Sequence, residues 1–108
     1  MKRGDIVTVA PPGDYGKPRP AVVIQSDWLA HTDSVLVALM TSDLAEAPIY
    51  RLDIEPSPQT GLKVQTQIMV EKVLAVPRGK CGRKIGSLDE TTLIALNHML
   101  LVVIGIAD

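Results

Sequence analysis

Arg19 is flanked by Pro18 and Pro20, and it opens the apolar run Ala21-Val22-Val23-Ile24. Pro18 fixes the backbone just ahead of it, and Pro20 biases Arg19 itself towards extended geometry. A guanidinium held on stiff backbone at the rim of a core presents a planar fork of donors suited to a phosphate. The plainer reading of the same residue is a surface salt bridge at a strand end. A second chemical signal closes another apolar run, Val35 to Met40, which stops at Thr41-Ser42. If the two runs are antiparallel neighbours, the start of one meets the end of the other. A hydroxyl pair beside a fixed guanidinium can then hold a phosphodiester and stabilise the extra negative charge of its transition state. RNA needs no protein nucleophile, because its own 2′-hydroxyl can attack the adjacent phosphate. The protein then has to align groups, neutralise charge and move protons, and neither a metal nor a cofactor is required.

Other reactive side chains are less well placed. His31 lies in a polar stretch and His98 in a helical pattern, and neither has a sequence neighbour that marks it as a base. Cys81 is the only cysteine, which excludes an intrachain disulfide and a multi-cysteine zinc site. The cations around Cys81 are expected to lower its pKa. No His/Cys/Asp cluster has metal-ligand spacing, and no glycine-rich phosphate loop is present. Pro77 to Gly86 holds Arg78, Lys80, Arg83 and Lys84 without an acid. It reads as a flexible basic loop, either simply solvated or tracking phosphate.

The elements that must position these groups fit one domain, residues 1–108. The chain is 46% hydrophobic with no Phe, one Trp and two Tyr, so its core is aliphatic. A net charge of -1 does not advertise a nucleic-acid partner. The N-terminus lacks the apolar segment of a secretory signal, and no apolar run is long enough to span a bilayer, so a cytoplasmic protein with no membrane association is expected. Ile6 to Ala10 reads as the first strand, with Arg3-Gly4-Asp5 as its approach, and Pro11 to Gly16 as a loop. Ala21–Ile24 and Val35–Met40 are too apolar for a half-exposed sheet and read as strands buried on both faces. Between them lies a polar stretch, Ser26 to Asp33, in which Trp28 is expected to act as a lid over the barrel end. Tyr50 to Ile54 alternates, with Tyr50, Leu52 and Ile54 inward and Arg51 and Asp53 outward. Gln67 to Val76 is one long strand or two, bent near Glu71-Lys72. Ser87-Leu88-Asp89-Glu90 matches a capping box with Ser87 at the cap. Leu93, Leu96, Leu100 and Val103 then share one helical face, Ile94, Leu101 and Val102 widen it towards a second subunit, and Gly105 stops the helix. The sum is mainly β with a C-terminal helix: five to six short strands in a strongly bent antiparallel sheet or partly closed barrel.

Several segments in order resemble the MazF/PemK toxin family: Arg3-Gly4-Asp5-Ile6-Val7, Gly16 through Ile24, Leu39-Met40-Thr41-Ser42, Arg51-Leu52, Gly61-Leu62, Gln67-Ile68-Met69-Val70, and Ile85 through Asp89. The resemblance covers essentially the whole chain. It implies an SH3-like barrel, a homodimer, and a metal-independent endoribonuclease of a type II toxin–antitoxin system. Such enzymes cut single-stranded RNA, often mRNA, and leave a cyclic phosphate and a free 5′-hydroxyl. The cognate antitoxin lies across the RNA groove. Carried onto this chain, Arg19 is the catalytic arginine that stabilises the phosphorane. Thr41 is the catalytic threonine that holds a phosphate oxygen, with Ser42 as a helper. Gln67 matches a family glutamine and is expected on the substrate side. Tyr15 and Lys17 flank a groove-shaping loop that is shorter than in many relatives and lacks their histidine. Arg83 and Lys84 are expected to contact RNA or antitoxin. Thr66 stands where some members carry an aspartate base, so the base is open. The alternatives are a gyrase poison of the CcdB branch, which lacks the Arg-Pro pattern, and a degenerate module that only binds RNA or antitoxin.

Overall fold

A computed structural model describes residues 1–10 and 17–108. The β-branched runs form strands β1 (Asp5–Val9), β2 (Arg19–Val23), β3 (Ser34–Thr41), β4 (Arg51–Ile54), β5 (Thr66–Pro77) and β6 (Cys81–Ser87), and the chain ends in helix α1 (Glu90–Val103). All pairings are antiparallel, in the order β4-β5-β3-β2-β1-β6.

The connection between β5 and β6 dictates the shape. β5 pairs with β3 and β6 with β1, yet only a short 3-10 turn, Arg78–Lys80, joins them. In a flat sheet they would stand four spacings apart, about 19 Å. Three linking residues span at most about 14 Å. The sheet therefore curls until its margins approach. Its inner face carries Val7, Val9, Ala21, Val23, Val35, Val37 and Val76, all between 0% and 2% exposed. Among the described residues no helix covers that face, and the curled sheet packs these side chains against one another. The outer face carries Ile6, Val22, Ala38, Met40, Ile68 and Val70, covered by Leu96 of α1 and by Leu88. Residues 21–23 are thus buried on both sides, as expected of an unbroken apolar run.

β5 is one bent strand. Its register with β3 jumps from Ala38↔Val73 to Met40↔Ile68, which places the bulge at 69–72. The first half of β5 can then pair with β4 while the second half follows β3. The β4–β5 connection returns to cover the edge of β6: Ser87 N donates to Gln59 O at 2.9 Å. Glycine makes that approach possible. A Cβ at Gly61, where φ is +71°, would lie 1.8 Å from the Ile85 carbonyl, and one at Gly86 would lie 2.1 Å from the Thr60 carbonyl.

Four local expectations are corrected. The basic segment is largely strand β6, because β1 lacks a second partner without it. The helix cap is Asp89, whose carboxylate accepts from Thr92 N at 2.7 Å; Ser87 is still paired with Asp5 in the sheet. Tyr50 precedes β4 and is 41% exposed, and Trp28 is 95% exposed and covers nothing. The C-terminal stop is as expected. Gly105, at φ +82°, ends α1 with Ile106 N bonded to Leu101 O and Gly105 N to Val102 O.

Candidate active site

Register decides which side chains share a face. Val9 pairs with Arg19, and the β2–β3 register Ala21↔Leu39, extended two residues, places Arg19 opposite Thr41. Thr41 pairs with Gln67 and Gln67 with Asp53. Directly opposed residues project to the same side of a sheet. Arg19, Thr41, Gln67 and Asp53 therefore form one row across β2, β3, β5 and β4, at the mouth where β2 begins and β3 ends. Arg19 is exposed and Thr41 half-buried, so the two are presented rather than packed away.

The turn after Thr41 is held from below. Gln67 is 5% exposed. Its Oε1 accepts from Ala45 N and Arg51 Nη1, both at 3.0 Å. Its Nε2 donates to Ala45 O at 2.9 Å and Asp53 Oδ1 at 2.8 Å. Arg51 also donates to Asp43 O at 3.1 Å. Thr41 Oγ1 accepts from Asp43 N at 3.0 Å, which orients the hydroxyl at the turn. Both polar atoms of Gln67 are engaged on two sides, which positions this turn. A cleft of about 580 Å³ opens beside the network, lined by residues 44–48, Arg51, Asp53, Gln65 and Gln67.

The remaining sequence-derived candidates divide. Ser42 and Lys17 are exposed near the row, and Tyr15 lies outside the described residues. Arg83 is exposed on β6. Lys84 is drawn away: its Nζ sits 3.3 Å from Asp5 Oδ1, at the far end of β1 from Val9. Thr66 is buried and donates to Val64 O at 3.0 Å. Arg78 leaves the basic set too, since it donates to the carbonyls of Leu29 and Thr32. Cys81 overturns its expectation, because burial raises its thiol pKa more than nearby Arg78 lowers it. Arg51 and Asp53 were missed as site residues. Their alternation signalled only outward-facing positions, and the partner that makes them useful, Gln67, is distant in sequence. Among the described residues, no group of three or more His, Cys, Asp or Glu side chains could hold a metal ion.

A family profile described as "PemK-like, MazF-like toxin of type II toxin-antitoxin system" matches residues 2–104. The chain belongs to this family. A protein of Mycolicibacterium smegmatis named "Probable endoribonuclease MazF" is 44% identical over 108 residues, covering 99% of each chain. The fold is similar to an endoribonuclease in complex with its cognate antitoxin from a mycobacterial species (TM-score 0.84, 16% identity, 100% and 98% of the two chains). It is also similar to Mycobacterium tuberculosis toxin MazF-mt6 (TM-score 0.81, 19% identity, 94% and 96%). At those identities the structures show a shared MazF fold. No helix among the described residues is long and apolar enough to cross a membrane.

Proposed function

We propose that this PemK/MazF chain is a metal-independent endoribonuclease, the cytoplasmic toxin of a type II toxin–antitoxin module, acting on single-stranded RNA as a homodimer held by an antitoxin until released. The observation that supports this reading is the row at the barrel mouth, with Arg19 opposite Thr41 on one face. A scissile phosphate seated there meets the guanidinium on one side and the hydroxyl on the other. The substrate's 2′-hydroxyl gives its proton to water as its oxygen forms a bond to phosphorus, the bond from phosphorus to the 5′-oxygen breaks, that oxygen takes a proton from water, and the products are a 2′,3′-cyclic phosphate and a 5′-hydroxyl. Arg19 stabilises the charge that builds on the phosphoryl oxygens. Its role is electrostatic, because a guanidinium does not give up its proton in this range. Thr41 holds a phosphoryl oxygen with Ser42 beside it, and Lys17 draws the strand in. The cleft beside Gln67 and Arg51 takes a neighbouring nucleotide.

The test is digestion of a long transcript by the purified protein in excess chelator, with end-group analysis of the fragments. Cutting with cyclic-phosphate and 5′-hydroxyl ends is expected. Cutting that stops in chelator, or ends bearing a 5′-phosphate, would refute the mechanism. Inhibition of purified gyrase would favour the CcdB-like alternative, and RNA retention without fragments would favour the binding-only one.

A further inference from the structure

Two side chains of β4 line the cleft beside the row with opposite charge and are kept from closing on each other. Arg51 and Asp53 are two residues apart on the strand, so they project to the same side. The Gln67 amide stands between them: its Oε1 accepts from Arg51 Nη1 at 3.0 Å and its Nε2 donates to Asp53 Oδ1 at 2.8 Å. Each partner keeps capacity that the fold does not use. The hydrogen bonds of the Arg51 guanidinium to described residues all come from Nη1, and its Nε is buried with no partner. Asp53 is exposed, and among the described residues only its Oδ1 is bonded. Native folds seldom leave a buried donor idle, so an idle guanidinium edge on a cleft calls for a reason.

The cleft suits a base and not a phosphate. Leu44, which is 50% exposed, gives it an apolar wall together with Ala45, Ala47 and Pro48. That wall is fixed. Tyr50 N and Arg51 N both donate to Ala47 O, at 3.1 and 2.8 Å, and Gln67 holds Ala45 by both its backbone groups. Among the described residues that line the cleft, the charges are Arg51 against Glu46 and Asp53, so a phosphate gains nothing by entering. Along the row Asp53 stands two strand spacings from Thr41, about 10 Å. A strand whose scissile phosphate sits at the rim can therefore turn the base of an adjoining nucleotide into the cleft. Single-stranded RNA is read on such splayed bases, while phosphate contacts only fix the register.

The polar edge of the cleft then selects among the bases. An unspent carboxylate oxygen beside an unspent cationic donor matches a base edge with a donor at one end and acceptors at the other. Uracil fails, because its edge runs acceptor, donor, acceptor and sets a carbonyl oxygen against the carboxylate. Adenine offers its amino group and one ring acceptor, then only a C–H. Guanine brings two donors to the carboxylate, one oxygen of which already serves Gln67. Cytosine brings one amino group followed by two acceptors, and a carboxylate accepting from N4 is its usual partner. We propose that the Arg51–Asp53 cleft reads cytosine at one position beside the cut, with N4–H donating to the second Asp53 oxygen and the Arg51 guanidinium donating to the N3 and O2 side. The assignment rests on the nuclease reading above for its ligand, RNA, and adds the base.

Binding and cutting are measured apart on the intact protein. Short homopolymers with 2′-O-methyl sugars bind without being cut, and the cytosine strand should bind about 10-fold tighter than the uracil or adenine strand. Replacing cytosine by pyrimidin-2-one, which lacks the amino group, should remove that advantage without any change to the protein. Asp53→Asn keeps Oδ1 for Gln67 and puts an amide donor where the carboxylate accepted. It should bind uracil, whose O4 accepts, at least as well as cytosine. Cleavage of a randomised RNA pool, read by sequencing, should show cytosine fixed at one place beside the cut for the parent and not for Asp53→Asn. A parent that prefers another base or none, a preference that survives loss of the amino group, or an Asp53→Asn protein that selects like the parent overturns the proposal, as does failure to bind any of these strands. Cytosine-selective binding without cutting supports this inference and sinks the nuclease reading. Cutting with no base preference that Asp53→Asn alters does the reverse.

Discussion

At one end of the β2–β3 pair Arg78 meets Thr32; at the other Arg19 stands opposite Thr41. The residue types are the same and their surroundings differ. Arg78 spends its donors on the carbonyls of Leu29 and Thr32, Gln25 Nε2 donates to Leu29 O and Thr32 Oγ1, and Gln25 Oε1 accepts from Leu36 N, so that end becomes a fixed platform. At the mouth, the work of holding the turn has passed to Gln67 and Arg51, one and two strands further out. Thr41 and Arg19 remain at the rim. The difference shows how a small barrel divides its work: side chains of β5 and β4 hold the turn after Thr41, and the β2–β3 register sets Arg19 opposite Thr41 at the rim.

The comparison breaks most visibly at Arg19. Arg19→Ala should slow RNA cleavage by about 10²–10³-fold, the loss that follows removal of one preorganised donor to a developing charge. Because the side chain is exposed, thermal stability should move by no more than about 0.5 kcal/mol. Cleavage of a labelled oligonucleotide and a melting curve measure the two quantities. A variant that cuts like the parent would remove the distinction between rim and platform.

Gln67→Ala should behave in the reverse sense. It strips partners from Arg51, Asp53 and Ala45 in a buried setting, and a loss of about 2–3 kcal/mol of stability is expected from urea unfolding. Turnover per folded molecule should fall far less than in Arg19→Ala. If Gln67→Ala folds like the parent but no longer cleaves, Gln67 touches substrate and its scaffold role is wrong. Arg78→Ala sharpens the other side. Loss of its bonds to Leu29 and Thr32 should cost about 1–2 kcal/mol. Faster amide exchange confined to residues 26–33 should accompany it, with cleavage unchanged.

What the chain discloses about itself follows from how local each signal is. β1, β2 and β3 were legible because buried strands must be unbroken runs of Val, Ile, Leu and Ala. Arg19 and Thr41 were legible because they sit where such runs begin and end. β6 was not. Cys81-Gly82-Arg83-Lys84 has loop composition and becomes a strand because β1 offers an edge and because Gly82 lets β6 approach Thr8, where a Cβ would meet Oγ1 at 2.2 Å. Gln67 was legible by resemblance but its duty was not, since the turn it holds lies 22 residues away. The exposure of Trp28 was hidden for the same reason: the loop conformation is set by Arg78, which bonds to Thr32 from 46 residues further on.

The helix cap is the smallest and most local test of that reasoning. Asp89 accepts from Thr92 N, and this hydrogen bond lowers its pKa from the ordinary value of 3.8. A carboxylate with a lowered folded-state pKa contributes stability fully above the unfolded value and loses it as pH falls through the folded one. Asp89→Ala should therefore melt slightly below the parent at neutral pH, and the gap should close below pH 3.8. Ser87→Ala should show no such pH-dependent gap, because Ser87 belongs to β6 and not to the cap. If the two substitutions exchanged these behaviours, the helix would begin where the capping-box pattern places it, and the pairing of Ser87 with Asp5 that carries β6 to the end of β1 would have to be given up.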